Sequence, residues 1–340
     1  MYAHAKKEVA LTITEIAKLA GVSIGTVDRV LHKRGRVSAK TVARIEEIIK
    51  SSGYHPNPIA RQLASKKKFI IGVLLPKLSD DTGYWKLIYE GIKKAGEEFK
   101  LFSFEFIPSY FDRKEGSYTL KAKALLKKNI NALITAPIIA QEAKKVLPLF
   151  EEIPYVLVDS SLPGVKQLAT VVQNPYKGGL CAGRMMKLIA PHAEKIFCVQ
   201  MYSGAYNLKE RARGFTAFFK NKNVINISGN CNTKEETDKF IRSILLQKPD
   251  GIFVSNNAGF AFADYCKRKN IKKNFALVGY DLMEQNKKYL ANGFIDCIIS
   301  QQPEEQGYLA VKTIYQSCLI NEKVNLNIQI PITLYYKENI

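Results

Sequence analysis

The 340-residue chain is expected to be an α/β protein, with an N-terminal helix-turn-helix three-helix head and two doubly wound parallel-sheet lobes. Three observations predict this. Residues 12–52 hold three helical apolar faces separated by short turns. From Phe69 onward, short continuous apolar runs alternate with helical patterns, as in parallel strands covered on both faces. That alternation runs in two series, which implies two sheets and a ligand crevice where the carboxyl ends of their strands face each other.

The head begins with Thr12 and Glu15, spaced as a capping box in which each side chain satisfies an orphan amide. Ile13, Ile16, Ala17 and Ala20 then share one helical face, and Gly21 closes the turn as a C-terminal cap. Ser23 caps a second helix that turns Val27, Val30 and Leu31 inward and Ile24, Gly25, Asp28, Arg29 and His32 outward. A glycine-closed turn between two such helices is the helix-turn-helix signature, whose second helix enters the major groove of DNA. A third helix, Ser38 to Ser52, packs Val42, Ile45, Ile48 and Ile49 against the first two and stops at Gly53.

Charge points the same way. Residues 1–68 hold 14 Lys/Arg and 5 Asp/Glu, whereas the other 272 residues hold 37 and 26, within a total of +20. The first fifth of the chain thus carries nearly half of the positive excess, which suits phosphate contact. Arg29 is expected to read a guanine, and Lys33, Arg34 and Arg36 to contact phosphate. Asp28 repels phosphate but can accept from cytosine N4. Asn57 can cap a short helix with Pro58 at its first position. A helix of one and a half turns is unstable alone in water, so its order should depend on DNA and on a partner. Ser65-Lys66-Lys67-Lys68 marks the boundary.

Beyond it, strands are expected at Phe69 to Leu75, Phe102 to Ile107, Ala132 to Thr135 and Tyr155 to Asp159. The helices between them pass through Tyr89, Ile92, Ala95 and Phe99, and lie near 115–128 and 141–150. A second series begins near Thr170, with strands at Ile196 to Gln200, Val224 to Ser228, Ile252 to Ser255, Ala276 to Gly279 and Cys297 to Ser300.

Composition excludes several classes. MYAHAKKEVA has no apolar signal core and no run approaches ~18 apolar residues, so a cytoplasmic protein with no membrane partner is expected. Six cysteines (Cys181, Cys198, Cys231, Cys266, Cys297, Cys318) form no CxxC pair and read as reduced core residues. The histidines are His4, His32, His55 and His192, with none beside a nucleophile at a strand end. GxxxxGK[ST], HExxH and strand-linked GxGxxG are all absent. No enzyme activity, metal or cofactor is expected.

Residues 12–65 resemble the head of LacI/GalR-family transcription regulators. The resemblance rests on AGVS (Ala20 to Ser23), TV-x-RV (Thr26 to Val30), VSAKT (Val37 to Thr41), GY-x-PN (Gly53 to Asn57) and A-R-Q-L-A (Ala60 to Ala64). The rest resembles the ribose-type branch of the periplasmic sugar-binding fold. It carries IGVLLP (Ile71 to Pro76), VDS-x-LPG (Val158 to Gly164), QNPYKGG (Gln173 to Gly179), ERARGF (Glu210 to Phe215), SNN (Ser255 to Asn257), VGYD (Val278 to Asp281) and ISQQP (Ile299 to Pro303). The family usually has Ser or Thr at Asp28 and an acid at Gln173.

This resemblance implies a head at 1–56, a hinge helix and linker at 57–68, and a ligand domain at 69–340. Within the ligand domain, one lobe is 69–169 with 303–325 and the other is 170–302 with 326–340. The helix 303–320 then returns to the first lobe, and a strand near 328–336 finishes the second. It also implies DNA contacts from Thr12, Ser23, Ile24, Gly25, Thr26, Asp28, Arg29, His32, Lys33, Arg34, Arg36, Ser38, Thr41, Tyr54, Asn57, Ala60 and Leu63, the last as a minor-groove wedge.

Sugar hydroxyls want paired donors and acceptors, and sugar C–H faces want aromatic rings. Tyr84, Trp85, Asp159, Arg211, Asn256, Asp281 and Gln301 suit that chemistry, with Arg211, Asn256 and Gln301 at positions where the family contacts ligand. Bland roles stay open: Asp281 could cap a helix, Arg211 could pair with Glu210, and Trp85 could be core. The implied protein is a sugar-responsive regulator, more often a repressor, binding palindromic operator DNA as a homodimer without a coiled-coil tail for higher assembly. An activator answering a phosphorylated sugar, or a solute-binding protein with a vestigial head, remains the alternative.

Overall fold

The computed structural model describes residues 11–31, 33–52, 54, 68–201, 206–220, 224–229, 231 and 233–340, and forms two units, 1–65 and 66–340. The expected hinge at 57–65, with Asn57, Ala60 and Leu63, lies outside the described residues, as do His32 and Gly53.

In the first unit, α1 (Ile13–Ala20), α2 (Ile24–Leu31) and α3 (Ala39–Ser52) surround a core of Ile16, Ala17, Ala20, Val27 and Ile45. Leu11, Val22 and Tyr54, which the helical periodicity does not single out, close that core at its rim. The capping box is present: the Thr12 amide donates to Glu15 Oε2 at 2.6 Å, and the Glu15 amide to Thr12 Oγ1 at 3.3 Å. Gly21 takes the left-handed φ of 62° that ends α1 without steric cost.

The second unit holds two six-stranded sheets. The first has the order β11-β5-β4-β3-β1-β2, all parallel. Its strands are β1 (Phe69–Pro76), β2 (Phe104–Phe111), β3 (Ala132–Thr135), β4 (Tyr155–Val158), β5 (Ala169–Gln173) and β11 (Asn327–Ile330). The second has the order β12-β10-β9-β8-β6-β7, from β6 (Ile196–Gln200), β7 (Val224–Ser228), β8 (Gly251–Val254), β9 (Ala276–Tyr280), β10 (Cys297–Ser300) and β12 (Thr333–Tyr335). Only β12 is antiparallel there, pairing with β10. The helices α4 (Tyr84–Glu98), α5 (Ser117–Leu126) and α6 (Ala140–Val146) cover the first sheet, joined by the returning α12 (Pro303–Ile314). The second sheet is covered by α7 (Pro175–Ile189), α8 (Tyr206–Phe218), α9 (Lys234–Leu245), α10 (Gly259–Arg268) and α11 (Glu284–Ala291).

The expected lobe boundaries need two corrections. Residues 170–173 belong to β5, which pairs with β4 and β11 in the first sheet, so the first lobe runs to Gln173. The single strand expected near 328–336 is two strands, because Pro331 cannot donate to a ladder. β11 before it completes the first sheet beside β5, and β12 after it completes the second beside β10. The chain therefore crosses between lobes at 173–175, 300–303 and 330–333.

One helix pair in each lobe crosses at contact distance through facing glycines. Gly91 of α4 lies against the Glu304 carbonyl of α12, and Gly307 of α12 against the Ile88 carbonyl of α4. In the second lobe Gly179 of α7 meets the Arg211 carbonyl of α8, and Gly214 of α8 meets the Tyr176 carbonyl of α7. A methyl group at any of the four would overlap backbone, so these positions set where α8 and α12 present their side chains.

Candidate functional sites

In the head, many of the expected DNA-contacting hydroxyls first organise helix starts. Thr12 caps α1. Ser23 accepts from the Thr26 amide at 3.2 Å and shares a hydrogen bond with the Thr26 hydroxyl at 3.0 Å. Ser38 and Thr41 repeat the arrangement at the start of α3, at 3.3 and 2.8 Å. Ile24, Gly25 and Arg29 stand exposed on α2, and Lys33, Arg34 and Arg36 are exposed in the loop after it. Asp28 is engaged by Arg34, whose Nη1 donates to Oδ2 at 3.2 Å. That pairing moderates the repulsion that a bare carboxylate on the recognition helix would exert on phosphate. Tyr54 packs its ring against the head core.

The second site forms where the two sheets present their carboxyl ends. Asp159 follows β4 directly and Asp281 follows β9, and both aspartates take left-handed backbone, φ 67° and 62°. Few residues other than glycine accept that conformation, although Asp and Asn tolerate it, and such outliers gather at functional sites. Each is over-determined by hydrogen bonds. The Asp159 amide donates to Gln306 Oε1 at 2.8 Å and the Asp281 amide to the Ile299 carbonyl at 2.7 Å.

Asp159 sits in a nest of neutral donors: Tyr84 OH at 3.0 Å, Ser160 Oγ at 2.9 Å and Asn207 Nδ2 at 3.2 Å. Asn207 comes from the second lobe, so this bond spans the crevice. A second spanning bond joins Asn257 Nδ2 to Thr82 Oγ1 at 3.2 Å. Asp281 accepts from Gln301 Nε2 at 3.1 and 3.3 Å. Burial drives the Tyr84 phenol well above its ordinary pKa, reinforced by the charges of Asp159 and Asp281. Trp85 stands edge-on to Tyr84, ring centroids 5.0 Å apart, inside an apolar cluster that also takes in Met283 from the second lobe.

Arg211, 2% exposed, donates from Nη1 to the Ser255 carbonyl at 2.9 Å and lies over the Tyr280 ring at 3.7 Å. Burial opposes its charge, but Tyr280, Asp281 and Asp159 outweigh that and hold its pKa above the ordinary value. Glu210, the bland partner considered for Arg211, pairs instead with Arg213. Among the described residues, three buried polar atoms here have no protein partner: Arg211 Nε and both amide atoms of Asn256, itself 6% exposed. A buried amide without partners costs free energy, and native structures rarely keep one without a use.

Tyr84, Trp85, Asp159, Arg211, Asn256, Asp281 and Gln301 thus all lie in or beside one crevice. Four further residues that belong to its frame were not anticipated. Asn207 precedes Arg211 by four residues on α8 and so shares its face, a spacing legible in the sequence. Gln306 joins the Asp159 amide, the Gln301 carbonyl (2.9 Å) and Tyr84 OH (3.4 Å), and nothing local announces it. Asn286 ties the carbonyls of Asn257, Tyr280 and Asp281 together at 2.8–3.1 Å. Gln173, where the family usually has an acid, donates to the Ser300 and Pro331 carbonyls at 2.8 and 3.1 Å.

All six cysteines carry free thiols. Among the described residues no helix is long and apolar enough to cross a membrane.

A basic helix-turn-helix head joined to a two-lobed receptor defines a ligand-responsive DNA-binding regulator. Comparison agrees. Residues 12–57 match the lacI family of bacterial regulatory proteins, and residues 71–322 match the periplasmic binding protein domain family. The chain belongs to the lacI family of regulators, with that domain as its sensor. It is 26% identical over 340 residues to the ribose operon repressor of Lactococcus lactis, covering 97% of this chain and 98% of that one. The sucrose operon repressor of Streptococcus mutans is 27% identical over 256 residues, 72% of this chain and 73% of that one. A Bacteroides fragilis structure described as a LacI transcriptional regulator superposes with TM-score 0.72 at 26% identity, covering 80% of this chain and 98% of that one. A glucose-galactose binding protein from Geobacillus stearothermophilus shares the fold, with TM-score 0.71 at 21% identity over 81% of this chain and 99% of that one.

Proposed function

We propose that this regulator is a cytoplasmic repressor that occupies a palindromic operator as a homodimer and senses a small neutral sugar in the interlobe crevice. One recognition helix reads half a site, so two-fold pairing of chains matches a palindrome. The observation that carries the ligand class is the orphaned amide of Asn256, next in the chain to the Ser255 carbonyl that Arg211 holds, together with the orphaned Arg211 Nε. Together they call for a ligand that accepts at least two hydrogen bonds and donates one. Vicinal hydroxyls meet that requirement. Asp281 supplies a further acceptor, while a strongly anionic ligand would meet two buried carboxylates, Asp159 and Asp281, against one guanidinium. The arrangement is that of a receptor, with carboxylates held by neutral donors and no reacting pair among them, so we read the protein as a sensor and not an enzyme.

D-Ribose is the first ligand to test, because a relative aligned along nearly its whole length is a ribose operon repressor. In a thermal-shift panel of aldopentoses, aldohexoses and their phosphates, a true ligand at 100 times its Kd stabilises the native state by about 2.7 kcal/mol. The same sugar should shift the operator gel-shift midpoint. Asp281→Asn keeps a side chain that tolerates left-handed backbone while removing the charge, and should weaken binding by roughly 10- to 100-fold, or ~1.4–2.8 kcal/mol. Wild-type affinity in Asp281→Asn, measured by calorimetry, would place the ligand elsewhere.

A further inference from the structure

Gln173 occupies the first of the three crossings between lobes and uses the Nε2 end of its side chain on the other two. Its Nε2 donates to Ser300 at the end of β10 and to Pro331 between β11 and β12. Its Oε1 accepts a hydrogen bond from the Tyr280 hydroxyl. The Tyr280 ring in turn lies under the Arg211 guanidinium, whose Nε has no partner among the described residues. Gln173, Ser300, Tyr280 and Arg211 are buried, whereas Pro331 lies at the surface. Gly178 makes the junction possible, since a methyl group there would strike the Tyr280 hydroxyl.

We infer that Gln173 and Tyr280 are positioning residues that couple occupancy of the crevice to the angle between the lobes. This rests on the reading of Arg211 as a ligand contact. A ligand atom accepting from Arg211 Nε fixes the guanidinium, and the guanidinium fixes the ring stacked beneath it. The phenol then holds Gln173 in the one orientation from which Nε2 reaches both carbonyls. Rotation of the lobes changes the backbone torsions at the three crossings, so the two Gln173 bonds survive only over a narrow range of closure angle. Without the phenol, the amide is free to turn and the crossings lose their common tie. Evidence of coupling must come from energetics and not from adjacency alone.

The test uses the full-length chain. Tyr280→Phe keeps the aromatic face under Arg211 and removes only the hydroxyl. Gln173→Glu keeps an acceptor for that hydroxyl but cannot donate to Ser300 or Pro331. With D-ribose as the probe, calorimetry gives affinity, and operator titration with and without sugar gives the coupling ratio. Tyr280→Phe should leave sugar affinity within about 3-fold and cut the ratio at least 10-fold. Gln173→Glu should cut it comparably, and the double variant no further, since both act on one tie. An unchanged ratio in Tyr280→Phe, or additive losses in the double variant, overturns the inference. If the wild type binds no sugar in the panel, the sugar reading fails, and ligand-free hydrogen exchange decides this one. Tyr280→Phe should then speed exchange at 300–302 and 332–333 at least 10-fold without lowering Tm by more than a few degrees. Unchanged exchange there overturns the inference as well.

Discussion

Asn256 presents a conflict between stability and function at a single side chain. Its two unpartnered amide atoms are a cost in the free protein and an asset once a hydroxyl-bearing ligand enters. Asn256→Ala should therefore leave the melting temperature of the free protein unchanged or slightly raised, yet weaken the sugar by ~1–3 kcal/mol. A variant that loses stability without ligand, and binds normally, would mean that the amide serves the fold. Sequence reading reaches such residues unevenly. Asp281 and Asp159 are legible because each follows a strand, where crevice residues gather. Their left-handed backbone is not legible, since it is imposed by the Gln306 side chain and the Ile299 carbonyl, distant in sequence. Trp85 was expected against a sugar face, and its observed packing is edge-on to Tyr84 within an apolar cluster. In the head, Asp28 looks like a free acid in the sequence, but Arg34 engages it from across the loop. Asp28→Ser should accordingly raise affinity for random and operator DNA alike, and steepen the salt dependence by releasing Arg34 toward phosphate. Equal affinity at low salt, measured by fluorescence anisotropy, would deny Arg34 that role.

At the scale of elements, the positions of α8 and α12 depend on glycine and not on apolar matching. Gly179→Ala would thrust a methyl group into the Arg211 carbonyl, and Gly307→Ala into that of Ile88. Each should destabilise the second unit by ~1–3 kcal/mol or more, the range for overpacking. Gly179→Ala should in addition weaken sugar binding, because α8 carries Asn207 and Arg211. A control at Gly293, where a Cβ would meet nothing but φ is 76°, should cost stability without touching affinity. Glu142 gives a pH-dependent contribution to the same unit. It accepts the Gly116 and Thr119 amides at 2.7 and 2.9 Å and so caps α5 from α6. Burial would raise its pKa, but those amides, the Thr119 hydroxyl and Lys145 prevail and hold it below the ordinary value. The carboxylate's contribution is thus complete above the ordinary Glu range and fades as pH falls through the lowered value, a dependence that Glu142→Gln should flatten in acid titrations. Most strands were legible from apolar runs, with Ala132–Thr135, Ile196–Gln200, Val224–Ser228 and Cys297–Ser300 as expected. β5 is not legible as a strand of the first sheet, because its run near Thr170 reads as the start of the second lobe, and two further exceptions turn on proline. β2 continues past Pro108 because it is an edge strand that can spare a donor, and Pro331 divides what alternation alone reads as one strand.

Over the whole molecule, the head concentrates charge and the receptor concentrates specificity. The excess of 14 basic over 5 acidic residues in the first 68 predicts DNA affinity that falls steeply with salt, whereas sugar affinity at a neutral-ligand site should barely respond. Parallel salt titrations of the two equilibria check this, and a salt-sensitive sugar would point to a charged effector. The chain's three crossings carry a further consequence, for the order of assembly. The first sheet is begun by β1 at residue 69, but its far edge is sealed only by β11 at 327–330 and one face only by α12. During synthesis that lobe must wait, with β5 unpaired along one side, until almost the entire polypeptide has emerged. The second lobe needs only β12 from the late segment. Long-range closure of this kind slows folding and leaves an open strand edge exposed meanwhile. A chain stopped at residue 302 would keep its DNA-reading head and most of both sheets, yet meet the cell as an aggregation-prone intermediate in need of chaperones.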